Sequence, residues 1–121
     1  MNNEDRAMAL ATHFGVSEDC VSEYHRYGIG DSPTFEVEGQ PGAYCVLDNS
    51  EADEALEQAL DSYIEECILP DLPASLRGYF DSEKWKRDAR FDGRAHALNA
   101  YDGNEEEVMV SGEWRYIYRV E

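Results

Sequence analysis

The stretch "EEVMVSGEWRYIYRV", Glu106 to Val120, decides what kind of fold this chain adopts. Its second half alternates strictly, with Trp114, Tyr116, Tyr118 and Val120 on one face and Arg115, Ile117 and Arg119 on the other. A two-residue period in a segment rich in aromatic and β-branched side chains marks a half-buried strand. The Ser111-Gly112 step between the two runs supplies a tight turn, so the chain closes in a β-hairpin. The aromatic face of this hairpin is expected to lie beneath helices, with Trp114 as a large core side chain.

Upstream, "TFEVE" (34–38) alternates in the same way, with Phe35 and Val37 facing one side and Thr34, Glu36 and Glu38 the other. A "GQPG" turn separates it from the apolar run "AYCVLD" (43–48), and the pair reads as a second hairpin. Helical signals fill the rest. "NEDRAMALATHF" (3–14) has an apolar stripe and acidic residues at its start, and Gly15 ends it. Ser17 reads as the N-cap of a short helix through about Tyr24, followed by a loop, "RYGIGDSP". Asn49 or Ser50 is expected to cap a long helix that runs to about Leu69, where Pro70 stops it. "DLPASLRGYF" reads as a loop with a helical turn, and "DSEKWKRDAR" (81–90) as a short charged helix capped by Asp81 or Ser82. The expectation is a single α+β domain over residues 1–121, with an antiparallel sheet of about four strands (two hairpins) and helices packed on one face.

Composition bounds the function. Apolar residues make up 42% of the chain and aromatics 12%, enough for a folded globule and too many for a disordered acidic tail. The formal charge is −17, against a magnitude of roughly 2–8 for an ordinary small domain. It is unevenly placed: residues 1–76 carry 17 Asp/Glu against two Lys/Arg, and six of the ten basic residues cluster between Arg77 and Arg94. Such a charge repels nucleic acid and anionic membranes, so the expected partner is basic. No apolar run approaches the ~20 residues of a membrane span. The odd count of three dispersed cysteines, Cys20, Cys45 and Cys67, suits buried reduced thiols in a cytoplasmic protein.

"EADEALEQALDSYIEE", Glu51 to Glu66, carries seven carboxylates and no Lys or Arg. A ~100° step per residue puts Ala52, Ala55, Leu56, Ala59, Leu60, Tyr63 and Cys67 on one side and Asp53, Glu54, Glu57, Asp61 and Glu65 on the other. Glu54, Glu57, Asp61 and Glu65 then form a column about 16 Å long at ~1.5 Å per residue. One DNA strand carries a charge per ~3.4 Å, so the column matches the charge density of a phosphate backbone. A solvated helix face and a halophile-like surface are the plainer alternatives. The candidate binding residues for a basic partner are Asp53, Glu54, Glu57, Asp61 and Glu65.

Chemistry is harder to find. His96 with Asp92, Tyr101 and Asp102 holds acid–base groups, yet no second His or Cys stands at ligand spacing, and His13 and His25 belong to no motif with it. The glycines make no phosphate-binding loop, and neither Ser50 nor Ser111 belongs to a triad. The expectation is a non-enzymatic protein with no cofactor, no metal and no catalytic residues.

The segments "FDGRAHALNAYDGNEEEV" (91–108) and "EWRYIYR" (113–119), with "VLDNSEADEALEQAL" (46–60), resemble small acidic proteins encoded by tailed phages and prophages. Those proteins carry Asp-Gly-Arg-Gly-His, Tyr-Asp-Gly with acids after it, and a Tyr-Ile-Tyr-Arg close; Ala95 stands here in place of the second Gly. The resemblance implies a phage-encoded inhibitor of a host defence nucleoprotein, anti-CRISPR first and anti-restriction next, acting as an acidic DNA mimic in the host cytoplasm. Its partner would be a basic nucleic-acid-binding host protein rather than nucleic acid or membrane, engaged by a monomer or homodimer. The rival expectation is a phage regulatory or interaction protein, dimeric through the aromatic hairpin, whose acidity serves only solubility.

Overall fold

The computed structural model describes residues 1–30, 32–91, 93–98 and 104–121, with side chains for all of these except residues 25–27 and 95. Five antiparallel strands form one sheet in the order β1-β2-β3-β5-β4. They are β1 (Val21–Tyr27), β2 (Pro33–Val37), β3 (Tyr44–Leu47), β4 (Glu106–Val110) and β5 (Glu113–Arg119). The helices are α1 (Asn3–Phe14), α2 (Asn49–Tyr63), α3 (Ser82–Arg90) and the short α4 (Arg94–Ala97). Both expected hairpins are present, and β3 joins them by pairing with β5. The turn of the last hairpin is Ser111-Gly112, both at positive φ (54° and 81°), as a two-residue loop between twisted strands requires.

The fifth strand is β1, where the sequence reads as helix. Ser17 does cap a helical turn, by accepting from the Asp19 N–H, but the turn is 3-10 and ends at Cys20. Residues 21–24 then pair with Val37–Thr34, and the Cys20 carbonyl accepts the Glu38 N–H at 2.8 Å. A short helix has little stability of its own, so an available sheet edge overrides the local signal.

Helices cover both faces of the sheet, not one. Paired residues point to the same side, which groups Phe35, Val37, Tyr44, Val46, Val110 and Ile117 under Ala9 and Leu10 of α1. On the opposite face Leu47 and Tyr118 pack with Ala52 and Ala55 of α2, with Ile29 and with Leu98. All four residues of β3 are buried, as a central strand with two covered faces must be. The Gly28 backbone also approaches this strand, since a Cβ there would stand 1.8 Å from Cys45 Sγ.

Covering is incomplete at the hairpin tip. Tyr118 is wholly buried and Tyr116 half-buried, but Trp114 is 50% exposed, beside its equally exposed cross-strand partner Met109. The expectation of Trp114 as a core residue is therefore corrected: α2 spans the middle of this face and stops short of the β4–β5 turn.

Candidate acidic partner-binding face

The acidic helix begins one residue earlier than expected. Its N-cap is Asp48, which accepts from the Glu51 N–H at 2.7 Å, while Glu51 Oε1 accepts from the Asp48 N–H at 3.1 Å. This reciprocal capping box satisfies two backbone donors at once. Glu51 also pairs with Arg6 of α1, whose Nη2 stands 2.7 Å from Glu51 Oε2. Arg6 is buried and donates further to the Val46 carbonyl, to Ser32 Oγ at 3.3 Å and to the Met1 carbonyl at 3.1 Å. Among the described residues β2 pairs with β3 through Phe35 and Tyr44, and past Tyr44 the guanidinium bonds the Val46 carbonyl where a neighbouring strand would. Glu51 is thus a structural acid and not a free one.

Beyond Tyr63 the helix widens into a π turn over Ile64–Ile68 and a 3-10 turn over Leu69–Asp71 that contains Pro70. The apolar stripe follows Leu56, Leu60 and Ile64, leaving Tyr63 exposed and turning Cys67 to solvent. Glu65 sits on this wide turn, out of α-helical register with Glu54, Glu57 and Asp61. The four-residue column is therefore three in register plus an offset fourth.

The column is also partly neutralised. Lys86 of α3 lies 3.3 Å from Glu57 Oε2 and pairs with Asp61; Arg90 pairs with Glu57 as well. The Asp61 hydrogen bond, outweighing burial, holds the Lys86 ammonium above the ordinary lysine value. Trp85 stacks on Tyr63 with ring centroids 5.4 Å apart and planes 7° from parallel. Asp53 meets Arg94 of α4 at 2.9 Å. Arg94 also bonds Asn49 Oδ1 at 2.9 Å, pairs with Glu105 and lies over the Tyr116 ring at 4.6 Å. Burial works against the Arg94 charge, but its hydrogen bonds to Glu105 and Asp53 more than offset it and raise its pKa. Tyr118 Oη donates to the same Glu105 at 2.5 Å, and burial, aided by that carboxylate, pushes the phenol well above its usual value.

Of the five candidate residues, Asp53, Glu57 and Asp61 are engaged by the chain's own bases; Glu54 and Glu65 have no ion pair among the described residues. The counter-ions stand at positions 86, 90 and 94, on α3 and α4 and outside the acidic helix itself.

Sequence reading passed over a second acidic region, at the β1–β2 edge. Asp19, Glu36 and Glu38 line an open groove of about 430 Å³ with Ser22, Gln40 and Gly42, and exposed Glu18 and Glu23 lie on the same segments. None of the five has an ion pair among the described residues. The outward face of "TFEVE" carries Glu36, but Thr34 on that face is buried, so alternation alone did not define the surface.

Among the described residues, no three His, Cys, Asp or Glu side chains are grouped to hold a metal ion, and no helix is long and apolar enough to cross a membrane. His96 is exposed on α4; Asp92, Tyr101 and Asp102 lie outside the described residues. The cysteines divide three ways, correcting the expectation of three buried thiols. Cys45 is buried, with its thiol pushed up by burial, Cys20 is half-buried, and Cys67 is exposed because of the π turn. No family model, no curated protein and no solved structure matches this chain.

Proposed function

We propose that this protein is a non-enzymatic inhibitor of the phage type, presenting carboxylates in place of DNA phosphates to the basic groove of a host nucleic-acid-binding protein. A CRISPR effector is the first target class, because such complexes hold nucleic acid in channels lined by Lys and Arg. One observation carries the reading: exposed carboxylates with no counter-ion among the described residues. Arg6 is buried against Glu51, and among the described residues no base pairs with Glu54, Glu65 or the β1–β2 carboxylates, which are left to solvent and to partners. The test is competition with duplex DNA for a purified effector across a salt series. Glu54→Gln/Glu65→Gln should weaken inhibition and flatten its salt dependence, since fewer counterions are released from the groove. Inhibition at wild-type strength by that variant, and by one with Glu36→Gln/Glu38→Gln added, defeats the proposal.

A second reading has its own support. Trp114 and Met109 form an exposed apolar pair beside the free edge of β4, and a large aromatic flanked by charge suits a protein interface. On this reading the hairpin binds a partner or a second copy, and charge serves solubility. Sedimentation of Trp114→Ala distinguishes the two: a lost dimer favours the hairpin, an unchanged mass favours the acidic face.

A further inference from the structure

The acidic helix already has one basic occupant, and it belongs to the same chain. Among the described residues between Leu72 and Ala97, none enters either apolar cluster of the protein. In α3 only Trp85, Lys86 and Ala89, with the cap-proximal Ser82, are shielded from solvent; Glu83, Lys84, Arg87, Asp88 and Arg90 are exposed. What holds α3 on α2 is the set of pairs Lys86–Glu57, Lys86–Asp61 and Arg90–Glu57, with the Tyr63–Trp85 stack. Both flanks are thinly attached. The 3-10 segment Ala74–Tyr79 is exposed throughout, Phe91 is 84% exposed, and Gly93 takes φ +95°, which favours glycine. Arg94, by contrast, is pinned by Asp53, Glu105 and Tyr116.

We infer that α3 is an electrostatically latched strap, which leaves α2 as a unit when its ion pairs are screened and thereby frees the half-exposed carboxylates of Glu57 and Asp61 from their counter-ions. The second half of this inference rests on the proposed function: the carboxylates that hold α3 are those a basic partner would use, so α3 competes with that partner.

Salt separates the strap from the body of the protein. Screening length falls from ~10 Å at 0.1 M to ~3 Å at 1 M. For a chain of net charge −17, screening relieves self-repulsion and stabilises the body, whereas it loosens an ion-paired strap. The two responses have opposite signs.

The experiment uses the full chain with Trp114→Phe, which leaves Trp85 as the single indole. Between about 0.02 M and about 1 M NaCl, Trp85 emission is expected to shift red while the melting temperature holds or rises. Lys86→Gln/Arg90→Gln should show the red-shifted emission already at low salt, with no further response. Emission that stays fixed to 1 M, or moves only at the global melt, overturns the strap. Competition is read with a lysine-rich helical peptide as probe. The latch variant should bind it several-fold tighter than Lys84→Gln/Arg87→Gln, which changes net charge equally without touching the column. Equal binding by the two, with Trp85 released, overturns the competition and counts against the acidic-face reading while leaving the strap standing.

Discussion

Leu10 of α1 and Lys86 of α3 are both almost wholly buried, yet different forces hold them in place. Leu10 is enclosed by Phe35, Val37, Val46 and Ile117 across the first face of the sheet. Lys86 is enclosed by the carboxylates of Glu57 and Asp61 and by its own long stem. Apolar burial contributes about 25 cal/mol per Å² and responds little to salt. Partly exposed ion pairs contribute modestly and are screened. The apolar contact of α1 with the sheet is therefore the unconditional part of the fold, and the ion-paired contact of α3 with α2 is the conditional part. A strongly acidic chain that kept its core apolar, and placed its compensating charges in an outer layer, gains a surface that ionic conditions can alter.

The largest expected effect lies on the unconditional side. Leu10→Ala should cost about 2–5 kcal/mol, read from a denaturant midpoint at constant m-value, and the cost should not vary with salt. A loss that shrinks markedly in high salt would erase the distinction between the two sides.

Next is the polar node beneath α2. Tyr118→Phe removes a hydrogen bond to a carboxylate and should cost about 1.5 kcal/mol at neutral pH, the low end for such bonds because Arg94 still holds Glu105. The same group sets an alkaline limit. Cys45 and Tyr118 have raised values in the folded state, as does Lys86, so the folded protein keeps protons that the unfolded chain releases. Their stabilisation is full below the ordinary values of ~8.5, ~10 and ~10.4, and is lost as pH rises through them toward the folded values. Stability should fall from about pH 9 upward, and the Tyr118→Phe variant should lose less of it between about pH 9.5 and 11. Parallel pH profiles for variant and wild type would show that Tyr118 is not the responsible group.

Smaller still is the hairpin tip. Trp114→Ala should cost only about 1 kcal/mol, the scale of a cross-strand pair, because half of the ring is already in water. A loss of about 3–5 kcal/mol would mean that the ring is covered after all, by a second copy or by α2. The least effect is chemical. Native protein should give Cys67 to a bulky thiol reagent at once and Cys45 only after unfolding, with no change in melting temperature on labelling Cys67.

The local elements are legible in the residues alone. The period-2 pattern of 113–120 fixed a strand, Ser111-Gly112 fixed its turn, and the capped runs at 3–14 and 81–90 fixed helices, because sterics and hydrogen bonding within a few residues suffice. The unbroken apolar run Ala43–Leu47 also marks a strand covered on both faces, and so helices on both. The rest depends on contacts between segments distant in the chain. Residues 21–27 became a strand because β2 offered an edge, not because their own pattern demanded it. Glu57, Asp61 and Asp53 acquired counter-ions from positions 86, 90 and 94, a pairing that no local window contains. Periodicity reports which side of a helix a carboxylate is on. What stands opposite that carboxylate depends on where the chain returns in space, and charge pairing falls off with distance through space, not along the chain.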